Sequence, residues 1–123
     1  KSPVVRGAAV ERIVAQETLK DLSLNDKAVS VRSRAIARLT DEKILVQLAK
    51  KDETQLIRLA AVLNPKMLDQ PTLRDIAVND KYEATRLAAV EKLTDKELLK
   101  KIAKDDAMES VRDAAKGRLM ALE

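Results

Sequence analysis

The sequence predicts an all-α fold in which short helical hairpins stack side by side as an α-solenoid. Two observations carry this prediction. The 123 residues include only two glycines and three prolines, while 46% are hydrophobic, so helix formers dominate the chain. A repeated pattern also runs along the chain, because arginines recur at spacings of 26, 26, 28 and 26 residues, each followed three residues later by an alanine. These arginines are Arg6, Arg32, Arg58, Arg86 and Arg112.

Each unit of the repeat is predicted to contain two short helices. The helix with the arginine is the second, and its apolar residues recur at i, i+4 and i+8, which is one helical face. The segments around 42–51 and 96–104 carry the leucine pattern of first helices. Because one pair cannot bury its apolar face alone, the pairs are expected to stack. The second helices are predicted around 29–39, 55–64, 83–93 and 109–121.

Local signals predict where several of these helices begin and end. Thr94 with Glu97 forms the pattern of a capping box at the start of a first helix. Pro71 suits the first turn of the equivalent helix in the third unit, where an N–H is not needed. Asn64 and Pro65 are expected to end the preceding helix, since the residue before a proline disfavours helical geometry.

Residues 1–123 are predicted to form a single repeat domain, and these signals divide it into repeats. Ser2 and Pro3 start a helix predicted over 3–14, which is the second half of a unit. Because the chain begins at Lys1, we expect that it is processed or that further repeats precede it. The four complete repeats are predicted at approximately 15–39, 40–64, 65–93 and 94–121.

The repeated motif resembles a known family. The unit Val-Arg-x-x-Ala, then Leu-Thr-Asp, then Leu-x-x-[Leu/Ile]-Ala-x-x-Asp is similar to the HEAT-like repeat, in its short bacterial form as found in phycobilin lyases. The resemblance implies a right-handed superhelix of about 4.5 hairpins. It also implies that the second helices line a concave surface where partners bind.

The resemblance further implies a structural ladder between aspartates and the repeated arginines. An aspartate stands six residues before four of the arginines, where it can cap a helix while the planar guanidinium bridges oxygens. Phosphate binding by these arginines is the alternative, which the fixed acidic neighbour disfavours. The implied pairs are Asp26–Arg32, Asp52–Arg58, Asp80–Arg86 and Asp106–Arg112.

Composition narrows the function classes. The chain has no cysteine and no histidine, so disulfides, thiolate or imidazole metal sites and histidine acid–base chemistry are excluded. We therefore expect no enzyme, no metal and no cofactor. The net charge is +4, and the basic and acidic residues are interspersed along the chain. No stretch of the sequence is apolar enough to span a membrane, and no targeting segment is evident. Lack of cysteine fits the cytoplasm.

The predicted function is protein–protein recognition on the second helices. Positions one and five after each repeated arginine face away from the core, which places Leu59, Leu63 and Leu87 on the outer face of neighbouring repeats. An apolar patch flanked by charge is typical of an interaction site, and Arg34 and Arg38 could steer an acidic protein or peptide. The alternative is that repeat curvature buries these leucines.

Two other functions stay open. A basic row six residues after the repeated arginines could follow the phosphates of a nucleic acid, although acidic residues are interleaved and stacking aromatics are lacking. The chain could also be a structural spacer within a longer repeat protein. The sequence does not indicate an oligomeric state. The basic row consists of Arg12, Arg38, Lys92 and Arg118.

Overall fold

The computed structural model describes residues 15–123, and every regular element in that range is a helix. The all-α prediction is confirmed, while the helix predicted over 3–14 lies outside the described residues. None of the helices between residues 15 and 123 combines the length and hydropathy that a membrane span requires. The helices are α1 (described over 15–25), α2 (Val29–Ala37), α3 (Glu42–Lys51), α4 (Gln55–Leu63), α5 (Gln70–Asn79), α6 (Glu83–Val90), α7 (Lys96–Asp105) and α8 (Glu109–Leu122).

The helices pack as hairpins in a single array. Helix α3 packs on α4, α5 on α6 and α7 on α8, and the second helices then pack on one another in the order α2, α4, α6, α8. The first helices α3 and α5 contact each other less extensively than the second helices do. The second helices therefore form one continuous layer. The right-handed twist implied by the family resemblance stays a prediction.

Aspartates start the first helices. Asp41, Asp69 and Asp95 are the N-cap residues of α3, α5 and α7, and each carboxylate accepts a hydrogen bond from a backbone N–H of the first turn. The predicted capping box at Thr94 is therefore wrong by one residue. Its backbone N–H instead donates to Gln70 Oε1 at 3.1 Å, because Thr94 belongs to the linker that closes the third hairpin.

The core repeats with the sequence. The alanine three residues after each repeated arginine is at most 3% exposed from α2 to α8, which lets neighbouring helices approach closely. In the third unit α4 ends at Leu63, as predicted from Asn64 and Pro65. The two extra residues are absorbed in the linker, where Met67 is fully buried, as Leu39 and Leu93 are nearly or fully buried after the second helices of the neighbouring units.

Candidate functional site

The repeated arginines bind aspartates of the next hairpin. Arg58 Nε donates to Asp80 Oδ2 at 2.9 Å, and Arg58 Nη1 donates to the main-chain carbonyl of Asp52 at 2.9 Å. The predicted carboxylate pair Asp52–Arg58 is therefore wrong by one repeat. Asp52 serves Arg58 through its backbone only.

The same register holds along the array. Arg32 binds the Asp52 carboxylate, and Arg86 Nε donates to Asp106 Oδ2 at 3.0 Å. The pairs predicted as Asp26–Arg32, Asp80–Arg86 and Asp106–Arg112 are corrected in the same way. Within their own hairpins, Arg86 and Arg112 donate to the backbone carbonyls of Asp80 and Asp106 and not to their carboxylates, and Arg32 donates to the backbone carbonyl of Ser23. Arg6 lies outside the described residues.

Helix geometry explains this register. Gln55, three residues before Arg58 and thus on the same face of α4, donates to Thr85 Oγ1 of α6 at 3.0 Å. The arginine face of a second helix is therefore turned toward the following hairpin. The aspartate that meets it there uses its other oxygen to accept the N–H two residues later, as Asp80 does from Tyr82 at 3.0 Å.

Both partners of these ion pairs are shielded from solvent. The side chains of Arg58 and Asp80 are 12% and 6% exposed. Burial alone would raise the pKa of Asp106, but hydrogen bonds from Arg86 and the Met108 N–H, with the charges of Arg86 and Arg112, hold that pKa below its ordinary value. The ladder thus ties each hairpin to the next through charge-assisted hydrogen bonds.

A second ladder lies six residues after the repeated arginines, where the sequence suggested a basic row. Asn64 Nδ2 donates to the carbonyls of Ile36 at 2.7 Å and Leu39 at 2.9 Å, at the end of α2. Lys92 Nζ likewise donates to the main-chain carbonyls of Val62 in the last turn of α4 and of Asn64 and Met67 after it. Arg118 Nε donates to the carbonyl of Leu93, which follows α6. These side chains satisfy the orphan carbonyls at each helix end.

These contacts bear on whether the basic row is open to bind the phosphates of a nucleic acid. Lys92 is half-buried, and burial lowers the pKa of its ammonium group. Lys92 and Arg118 are engaged with the backbone of the preceding repeat, so they do not form an open cationic track. Arg38 is exposed, and Arg12 lies outside the described residues.

The predicted apolar site is partly on the surface. Leu63 is 58% exposed, whereas Leu59 and Leu87 are half-buried and pack against the core. Leu56, which sequence reasoning missed, is 57% exposed on the same helix as Leu63. Residues at i, i+3 and i+7 share one face of a helix, so Leu56, Leu59 and Leu63 form a stripe along α4. We call this stripe, together with Leu87 of α6, the leucine face.

The sequence signal for Leu56 is its place in the repeat, two residues before the arginine, where the other described units have serine or alanine. The residue two before each repeated arginine is exposed in all four described second helices, as is the residue five after it. The outer surface of the second-helix layer therefore includes the position two residues before the arginine as well as the position five residues after it. Its occupants are Ser30, Leu56, Ala84 and Ser110.

The charged residues predicted to flank the apolar site are exposed. Arg34 lies in α2 and Arg38 directly follows it, on the side of α4 that faces the N-terminus of the array. On the opposite side, Glu91 directly follows α6 and is also exposed. Positive charge on α2, where Arg34 and Arg38 line a groove with Leu19 and Leu22 of α1, and negative charge at the end of α6 thus lie on the two sides of α4.

A cleft of about 330 Å³ between α3 and α5 is the other notable feature. Its lining includes the paired groups Arg58 and Asp80, along with Lys50, Asp75 and Lys81. Within residues 15–123 no three acidic or other ligating side chains converge as a metal site would require. Within this lining, Arg58 and Asp80 already pair in the first ladder, and Asp75 accepts a hydrogen bond from Asn79 Nδ2 at 2.9 Å.

Comparison of the chain with models of protein families, with curated proteins and with solved structures finds no match.

Proposed function

We propose that this chain is a HEAT-like protein–protein interaction scaffold without catalysis, and that its partner binds the layer of second helices at the leucine face. One observation carries the proposal: Leu56 and Leu63 are 57% and 58% exposed on the same face of α4. Large apolar side chains that are contiguous on a surface and bordered by charge mark interaction sites. Action in the cytoplasm is part of this proposal and rests on the lack of cysteine.

The ladders support a scaffold role because they make the array rigid. Each hairpin is joined to the next by an arginine–aspartate pair and by a side chain that caps the preceding second helix. A surface held in this way loses little conformational entropy when a partner binds. Arg34 and Arg38 would contribute mainly to the association rate of an acidic partner.

Affinity capture from lysate with matched variants tests the proposal. The leucine-face variant carries both Leu56→Asp and Leu63→Asp, and the control variant carries both Leu68→Asp and Val78→Asp. The control leucine and valine are 59% and 50% exposed and lie outside the second helices. We expect proteins captured by the wild type and the control to be lost from the leucine-face variant, with unchanged circular dichroism in all three.

Three results would contradict the proposal. Capture of the same proteins by the leucine-face variant would mean that another surface binds them. Capture of nucleic acid that is released as the salt concentration rises would favour the nucleic-acid alternative. Lys92 and Arg118 argue against that alternative, because both already bind backbone carbonyls. Empty baits for all three proteins would favour the spacer alternative.

A further inference from the structure

The charge of the second helices changes in order along the array. Apart from the ladder arginine that each contains, α2 and its C-cap carry the basic residues Arg34 and Arg38, and α4 carries no charge. Helix α6 and its C-cap carry the acidic residues Glu83 and Glu91. A partner that crosses these three helices therefore meets positive charge, then leucines, then negative charge.

The structure restricts the form that such a partner can take. Peptides bound as an added strand need a sheet edge, and the described helices offer none. Peptides bound as polyproline helices need grooves lined with aromatic side chains, whereas the whole chain has one aromatic residue, Tyr82. An amphipathic helix satisfies its own backbone hydrogen bonds and needs only an apolar surface such as the leucine face.

We propose that the ligand of the leucine face is an amphipathic helix that lies across α2, α4 and α6 with its acidic end over Arg34 and its basic end over Glu91. This inference rests on the proposed function. Packed helices lie roughly 10 Å apart, so the distance from α2 to α6 is about 20 Å. A helix rises about 1.5 Å per residue, so about 13 residues of the partner span it.

The helix dipole sets the direction of the partner. Acidic residues stabilise the N-terminus of a helix and basic residues its C-terminus. A partner helix whose charges suit its own dipole therefore places its N-terminus over α2. Its central apolar residues, at a spacing of three and four, meet the stripe of Leu56, Leu59 and Leu63.

Selection from a displayed library of random 16-residue peptides tests this inference. Peptides are selected on the wild-type protein and counter-selected on the variant Leu56→Asp with Leu63→Asp. We expect the enriched sequences to carry Asp or Glu in the first third, apolar residues at helical spacing in the middle and Lys or Arg in the last third. The double variant Arg34→Glu with Glu91→Lys should weaken the binding of these peptides about threefold to tenfold, as expected for the loss of two exposed ion pairs.

One control variant and one further measurement make the outcomes distinct. The exchange Lys50→Glu with Glu53→Lys alters exposed charges outside the second helices and should leave binding unchanged. Leucine-dependent peptides without charge order would overturn this inference and leave the proposed function standing. No leucine-dependent peptides would overturn this inference, and the capture experiment with the same leucine-face variant then decides whether the proposed function falls with it. Dimerisation of the wild type in sedimentation velocity that the leucine-face variant abolishes would overturn the peptide helix in favour of a second copy of the chain.

Discussion

The guanidinium of Arg58 binds the carboxylate of Asp80 in the next hairpin, while its own hairpin supplies only the backbone carbonyl of Asp52. The pair therefore joins two repeats rather than stabilising one. Stability of a stacked array depends on the interfaces between neighbours, and a buried arginine–aspartate pair at each interface makes the array more cooperative. The layer of second helices that carries the leucine face is held by these contacts.

A double-mutant cycle measures this register. Arg58→Gln leaves the buried carboxylate of Asp80 without its main donor and should lower the free energy of unfolding by about 1–3 kcal/mol. In urea unfolding, the cycle with Asp80→Asn should show a coupling of about 0.5–3 kcal/mol. The matched cycle with Asp52→Asn should show a smaller coupling, since that carbonyl remains. A larger coupling to Asp52 would restore the pairing within one hairpin.

The pH dependence of stability follows from Asp106. Its pKa is below the ordinary value in the folded protein, so the unfolded chain binds more protons as the solution is acidified. Its contribution to stability is complete above the unfolded value of about 3.9 and is lost as the pH falls through the folded value. Urea midpoints measured from pH 7 to pH 3 should therefore fall less steeply for Asp106→Asn than for the wild type.

The control for this experiment is Asp105→Asn, which changes the neighbouring exposed carboxylate. At pH 7 the Asp106→Asn variant should be the less stable of the two, because Arg86 loses a charged acceptor. Equal slopes for Asp106→Asn and the wild type between pH 5 and pH 3 would mean that the ladder carboxylate does not contribute to acid unfolding.

The second ladder predicts a severe effect from one isosteric change. Asn64 is 3% exposed and donates two hydrogen bonds to carbonyls at the end of α2. Asn64→Asp keeps the shape and removes the donors, so a carboxylate would face two carbonyl oxygens. We expect a loss of about 2–4 kcal/mol in the free energy of unfolding at pH 7.

The same amide-to-acid change at an exposed site provides the control. Gln47→Glu, on the exposed side of α3, should alter stability by less than about 0.5 kcal/mol. Similar effects of the two changes in urea unfolding would mean that the Asn64 hydrogen bonds do not hold α4 to α2.

The sequence period predicted the array but left the register of the first ladder ambiguous. An aspartate stands six residues before four of the five repeated arginines, and an aspartate also stands 20 or 22 residues after Arg32, Arg58 and Arg86. Both spacings recur with the same period, so no pattern along the chain distinguishes them. Only the direction in which the arginine face of the helix points decides between them, and that direction is a property of packing.

The leucines show a second limit of sequence reasoning. A helical wheel separates inner from outer positions, yet position one after the arginine lies at the edge of the outer face, so Leu59 and Leu87 are half-buried. Met67 could not be placed either, because the two-residue insertion shifts it from the position of Leu39. Hydrophobic periodicity identifies the face, whereas neighbouring helices determine how much of an edge residue they cover.

The difference between Leu59 and Leu63 leads to the last prediction. Leu63→Asp replaces a side chain that is 58% exposed and should change the free energy of unfolding by less than about 0.5 kcal/mol. Leu59→Asp would place a charge where a half-buried side chain packs against the core, and should cost about 1–3 kcal/mol. Binding tests of the leucine face therefore need changes at Leu56 and Leu63. If urea unfolding showed Leu59→Asp as harmless as Leu63→Asp, Leu59 would belong to the exposed surface after all. Its loss could then be tested as a direct contact with the proposed partner.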